Sequence, residues 1–164
     1  GQDRRAAMTP AGAIETSALA RYMREAMWAY PAVESVHIVA LAVVVGSIVI
    51  VDLRLMGLSR GLSVARLAAH ALPWTLAAFA VAVLSGTLMF TAHAEDFLTN
   101  RVFLLKMGLI LLAGINAGLL HAGAMRHAAA WDKALPPPRV RLAAGLSILL
   151  WIGVIFCGRL LAYT

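Results

Sequence analysis

Polar side chains able to do chemistry are few in this sequence, and they stand in an apolar background. They are Glu34, His37, Asp52, Arg54, Lys106, Asn116, His121 and Arg159, with His70 and His93 flanking one apolar stretch. Two imidazoles at matching depth on different helices can hold the iron of a b-type haem. His37 and His93 fall toward one membrane surface, and His70 and His121 toward the other. The first pair is therefore the candidate metal site. The second pair is weaker, because His70 and His93 are separated by about 34 Å of helix, which is wide for two haems stacked in one bilayer. The plainer reading of His70, His93 and His127 is a solvated residue at a loop edge. For His37 it is a hydrogen bond to Glu34 one turn earlier or to a neighbouring helix. Lys106 can snorkel to the surface, pair with Glu34, or present its cation to a haem propionate, a quinone oxygen or an anionic lipid. Asn116 sits between Gly114 and Gly118 of a GxxxG face, where it can line a cofactor cleft or simply bond across a close helix contact.

These residues need elements to position them, and composition restricts what those can be. Of 164 residues 62% are hydrophobic and 13% charged, and the mean hydropathy is +0.83. Soluble domains are about 45–50% apolar and about 25% charged, so a soluble enzyme, a disordered chain and a disulfide scaffold are all excluded. One cysteine, Cys157, cannot form an intrachain disulfide, a cysteine zinc site or an iron–sulfur cluster. The seven methionines are scattered and form no thioether copper motif. No Walker A loop, GxSxG elbow, HExxH or CxxC occurs. The formal charge of +6 fits cationic loops at lipid headgroups rather than a nucleic-acid partner.

A bilayer core needs about 20 apolar residues per helix. Four stretches supply them, at about 31–53, 72–92, 102–122 and 140–162. The fold class expected is all-α, a four-helix transmembrane bundle over 31–164 with antiparallel neighbours, preceded by a tail and an interfacial amphipathic helix over 1–30. Pro31 and Pro73 are placed in first helical turns, and Pro136, Pro137 and Pro138 make a stiff lead into the fourth span. Arg54, Arg60 and Arg66 follow the first span, and Arg126, Lys133, Arg139 and Arg141 follow the third. The second loop has Glu95 and Asp96 against Arg101. The positive-inside rule then puts both termini outside, although Arg4, Arg5, Arg21 and Arg24 of the tail count against it. Asp52 is expected to meet Arg141 or Arg66.

Residues 17–30 read as a helix capped by Thr16 or Ser17. Leu19, Tyr22, Met23, Ala26, Met27 and Tyr30 lie on its apolar side and Arg21, Arg24 and Glu25 away from it, with Trp28 and Tyr30 as interfacial anchors. Such a helix lies on headgroups or docks on a partner subunit. Residues 1–12 read as a loose tail, and Gly1 is consistent with processing or an added leader.

The blocks ESVHIVAL, VDLRLMGL, LPWTLAAFAVAVLSGTLMF, NRVFLLKMGLILLAGINAGLLH and SILLWIGVIFCGRLL, spread over about residues 28–164, resemble a bacterial family of four-helix membrane proteins of unknown function. More distantly they resemble cytochrome b561-type and copper-resistance D-type membrane domains, which are four-helix cores with helix-borne histidines. The resemblance implies a bacterial inner-membrane location and marks His37, Asp52, Arg54, Trp74, Lys106, Asn116, His121 and Arg159 as positions matching the family pattern. His70 and His93 do not match it. His37 and His121 do, but they lie at opposite depths.

Two functions follow as expectations. The first is a small membrane subunit that binds haem b and passes electrons to or from quinone or a partner cytochrome. In it His37 and His93 are axial ligands, Lys106 neutralises a propionate, and His70, His121 and Asn116 are further cofactor-binding candidates. The second is a cofactor-free accessory or assembly subunit of a larger complex, surrounded by lipid and joined to other membrane subunits or to copies of itself. A small transporter ranks last, because four helices enclose little space and no broken-helix pair is evident.

Overall fold

The computed structural model describes residues 9–132 and 134–163. Arg4, Arg5, Lys133 and most of the expected loose tail lie outside the described residues. Within them every regular element is helical. Two short helices, α1 (Pro10–Glu15) and α2 (Ala18–Glu25), precede two long ones, α3 (Ala29–Leu55) and α4 (Val64–Ala92). A short α5 (Ala94–Thr99) leads into α6 (Arg101–Ala122). A 3-10 turn (Ala124–His127) and a one-turn α7 (Ala128–Trp131) then reach α8 (Pro138–Leu160). Helices α3, α4, α6 and α8 are each long and apolar enough to cross a membrane. The chain is a multi-pass membrane protein.

Helix boundaries follow local capping chemistry. Ser63 accepts from the Arg66 amide and starts α4 eight residues before the apolar stretch begins. Pro73 therefore lies inside the helix rather than in its first turn. The polar Arg66 and His70 had the look of a loop, yet Val64 beside them is 1% exposed and packs with Leu55, Leu120 and Val140. That burial overrides their polarity. Pro138 opens α8 at a first-turn position, where its missing N–H costs nothing. Gly57 ends the α3 turn at φ 103°, a conformation glycine adopts without strain. A β-carbon there would also stand 2.9 Å from Leu135.

The four long helices form two antiparallel hairpins. In α3–α4, Ser47 bonds Thr75 at 2.7 Å and His37 meets Ala82. In α6–α8, Asn116 meets Ala143 and Gly153 faces Leu109. A seam between α3 and α8 joins the hairpins, with Val44, Ala113, Trp151 and Val154 as its mid-bundle core. No comparable seam joins α4 to α6, although they are consecutive spans. They meet at one end through the rings of Phe90, Phe97 and Phe103, whose centroids lie 5.1 to 6.2 Å apart, Phe90 stacking on the other two. That end, with α5, α1 and α2, is called the α5 end. The opposite end carries Arg54, Arg60, Arg66, Arg126, Arg139 and Arg141 and is called the arginine end.

The N-terminal segment differs from the expected surface helix. Ser17 caps α2 as expected, but Ala26 to Trp28 break the helix before α3 begins. Ala20 and Met23 are the buried pair, while Tyr22, Met27 and Trp28 are exposed. Arg24 does not turn away. It donates to the Ala92 carbonyl at 2.9 Å and to the Glu15 carbonyl at 2.8 Å, so a cation caps the C-terminus of α4. Residues 10–12, expected as tail, open a helix that runs to Glu15, because Thr9 accepts from Gly12 and Pro10 occupies the first position. Thr9 also donates to the Glu95 carboxylate at 2.6 Å, and the Glu95 amide donates to Glu15 at 2.7 Å. The segment is docked on the α4–α5 corner.

Candidate functional site

Polar residues of the spans fall into two layers. Toward the α5 end, His37 of α3 is half-buried against α4. Its Nδ1 lies 2.9 Å from the Ala82 carbonyl and 3.0 Å from Ser85 Oγ. Since the carbonyl can only accept, Nδ1 carries the proton. Ser85, 4% exposed, donates in turn to the Val81 carbonyl at 2.7 Å. Gly86 makes room for the ring: a β-carbon there would stand 3.1 Å from His37 Cε1. Nε2 of His37 makes no hydrogen bond among the described residues. Lys106 of α6 and Glu34 stand within electrostatic reach of His37. Lys106 does not pair with Glu34. It leans across to α8, where its Nζ would lie 3.5 Å from a β-carbon at Gly158.

The proposed haem pair is not assembled within the chain. His37 packs at the level of Ala82 to Gly86 on α4, whereas His93 closes α4, exposed and edge-on to Tyr30 at 5.8 Å between ring centroids. Tyr30 lies seven residues before His37, and His93 seven after Gly86, so the two histidines stand on levels about 10 Å apart. One iron needs both nitrogens within bonding distance. His93 instead faces Asp96 at 3.7 Å. His70 and His121 are both exposed. His121 donates from Nδ1 to the Ala117 carbonyl of its own helix at 2.9 Å. Among the described residues no three His, Cys, Asp or Glu side chains converge on a metal-sized point.

The second layer is near the arginine end. Asp52, 4% exposed, faces Ser147 of α8 and lies in the field of His121 of α6. Its Oδ2 is buried without a hydrogen-bond partner. It meets neither Arg141 nor Arg66, as had been expected. Asn116 does bond across the helix contact, donating to the Ala143 carbonyl at 3.0 Å. Gly114 and Gly118, however, are not in that contact. No atom lies within 4 Å of a β-carbon at either, so the GxxxG face is open. Ala113, 3% exposed, is on the packed face instead.

Beneath this layer a clamp closes the arginine end. Arg54, 1% exposed, donates from Nε to the Leu62 carbonyl at 2.6 Å and from a terminal nitrogen to the Asp132 carbonyl at 2.7 Å. The Asp132 carboxylate accepts from Ser63 Oγ and from the Val64 amide, each at 2.6 Å. It thus sits on the N-terminus of α4, where the helix dipole favours an anion. The Ser63 hydroxyl first, then the Val64 amide and the Arg54 charge, hold the Asp132 carboxyl below its ordinary range. Sequence reasoning missed Asp132, because a lone acid in a basic loop gives no periodic signal. Arg159 bonds Tyr163 at 2.7 Å and covers its ring. Trp74 is 63% exposed on the outside of α4.

With this geometry in place, the model of a family of unknown function, DUF6644, matches residues 13–164. The chain belongs to this family. The match covers α2 to α8 and the second half of α1, and it shows no link to cytochrome b561-type or copper-resistance D-type domains. No curated protein and no solved structure matches the chain. The family carries no assigned activity, so function must be argued from the two polar layers and the uncovered helix faces.

Proposed function

We propose that the chain is a small accessory or assembly subunit of a larger membrane complex, acting through helix association. The observation that carries this reading is the state of α6. Only 6% of its apolar window is buried, against 39% for α8, although α6 bears the chain's GxxxG motif. Among the described residues no atom of another helix lies within 4 Å of a β-carbon at Gly114 or Gly118. Small residues favour association in lipid because they let backbones approach closely, and here that surface is unused. The polar residues of the spans serve mostly as ties: Ser47 to Thr75, Asn116 to Ala143, His37 to Ala82. In this reading the arginine end faces the cytoplasm of a bacterial inner membrane, as the basic loops direct.

Native mass spectrometry after gentle extraction tests the proposal. A complex containing this chain and a different polypeptide is expected, and a Gly114→Leu/Gly118→Leu variant should lose the partner while keeping its helical content. A lone monomer or a pure homo-oligomer would overturn it.

A redox role is the second reading, and one observation favours it. His37 is fixed through Nδ1 with Nε2 unengaged, the way imidazoles are commonly oriented for ligation. His93 does not supply a second axial ligand, so a haem b would need one from another chain. A quinone head or a lipid would need only the single imidazole, with Lys106 as a nearby cation. The visible spectrum of the purified complex tests this reading: a Soret band that shifts on reduction and vanishes in His37→Ala supports haem. A colourless preparation that yields no quinone on extraction overturns the redox role.

A further inference from the structure

We propose that Asp52 is a proton-binding carboxyl, loaded from the arginine end of the bundle through His121. Asp52 lies in the last turn of α3, 96% shielded by the bundle, where an ionised carboxylate has few donors to hold it. Its Oδ2 has none at all. The groups around it leave little else to bind. On α8 the facing residue is Ser147, a hydroxyl that is itself 6% exposed, while Arg141 of that helix is exposed. On α6 the facing titratable group is His121. On α4, His70 is exposed. On its own helix, Arg54 is turned to Leu62 and Asp132. No cation stands within ion-pair distance of Asp52 among the described residues. One carboxylate and one hydroxyl are too few protein oxygens for calcium, which takes six to eight, and among the described residues no three His, Cys, Asp or Glu side chains converge for a transition metal.

A proton meets the requirement. It removes the charge, and the remaining carbonyl and hydroxyl can share Ser147. His121 is the titratable group of α6 whose charge acts on Asp52. Its Nδ1–H is committed to Ala117, so its Nε2 is the nitrogen that can take a proton. The residue is exposed to the surface on one side while its charge reaches Asp52 on the other. In this transfer solvent protonates Nε2, and the same Nε2–H then gives its proton to the Asp52 carboxylate, so that Nδ1–H stays on Ala117 and the imidazole returns to neutral. Helix association, proposed above, neither requires this site nor depends on it.

Infrared difference spectroscopy of the full chain in lipid tests the inference. As the pH is lowered from neutral into the mildly acidic range, the wild type is expected to gain the carbonyl stretch of a protonated carboxyl, shifting on exchange into heavy water and missing in Asp52→Asn. In His121→Leu the same band should shift markedly more slowly. A lipid-soluble carbodiimide gives a check without any variant, since it adds to protonated carboxyls in apolar surroundings: an adduct on the wild-type peptide bearing Asp52 is expected. No protonated-carboxyl band and no adduct would overturn the proposal. A band that does not exchange in the wild type, or exchanges equally fast in His121→Leu, would overturn the route through His121.

Discussion

His37 Nδ1 lies 3.0 Å from Ser85 Oγ, and this contact fixes the register of the α3–α4 hairpin on the α5 side. The same imidazole reaches the Ala82 carbonyl, so one side chain ties itself to two successive positions of the facing helix. The pairing is possible because Gly86 presents no β-carbon to the ring. Gly86→Ala should displace the imidazole and weaken both bonds. Hydrogen bonds of this kind inside membranes contribute about 0.6 kcal/mol on average. Ser85→Ala should therefore lower unfolding stability in detergent by about that amount. Gly86→Ala should cost more, because a methyl group is forced into a filled space. Denaturant titration followed by circular dichroism reads both.

Arg54 ties the end of α3 to the α3–α4 loop and to the segment before α8. Replacing it by Ala removes a 1% exposed guanidinium and leaves the Leu62 and Asp132 carbonyls without their donor. Leaving a buried carbonyl without its donor costs about 1–3 kcal/mol. Arg54→Ala should lower the unfolding midpoint more than any lipid-facing substitution on α3, such as Val39→Ala. Thermal unfolding of the two variants in the same detergent decides it.

Acid should loosen the same end. The Asp132 carboxyl is held below its ordinary range in the folded protein. The stability it contributes is therefore fully present above the ordinary carboxylate range and is lost as pH falls through the lowered native value. Wild-type stability should decline in that acidic window, and Asp132→Asn should show a flatter profile from a lower plateau. Unfolding midpoints of both proteins measured across that window give the test.

Arg24 predicts how the N-terminal segment behaves. Its two hydrogen bonds reach the Ala92 and Glu15 carbonyls, so Arg24→Ala should release α1 and α2 from the α4–α5 corner. Amide hydrogen exchange over residues 10–25 should accelerate severalfold, with α6 and α8 unchanged. Exchange that stays slow throughout would show that the buried Ala20 and Met23 suffice to hold the segment.

Much of this architecture was legible because lipid imposes a plain rule: a spanning segment must be long, helical and apolar. All four spans could be located on that basis, and Ser17, one of the two caps offered for the N-terminal helix, does cap α2. What escaped was long-range pairing. Arg24 looked like a solvated cation because its partner is a carbonyl 68 residues away. Asp132 was missed because its role depends on where α4 begins. The start of α4 was itself misplaced, because Arg66 and His70 suggested a loop. The pairing of His37 with His93 failed for a simpler reason. Depth along a helix axis can be counted from sequence, but the seven-residue offset between Tyr30 and His37 becomes decisive only once Tyr30 is seen to face His93. The open GxxxG face could not be foreseen either, since its spacing is the same whether a chain uses it internally or presents it outward.

The central claim is that the uncovered face of α6 is where another subunit binds. Native mass spectrometry of the gently extracted protein measures this most directly. The account predicts a mass above 17.4 kDa by that of a second, different polypeptide, lost in Gly114→Leu/Gly118→Leu. A wild-type chain that flies alone, or only with copies of itself, would contradict it.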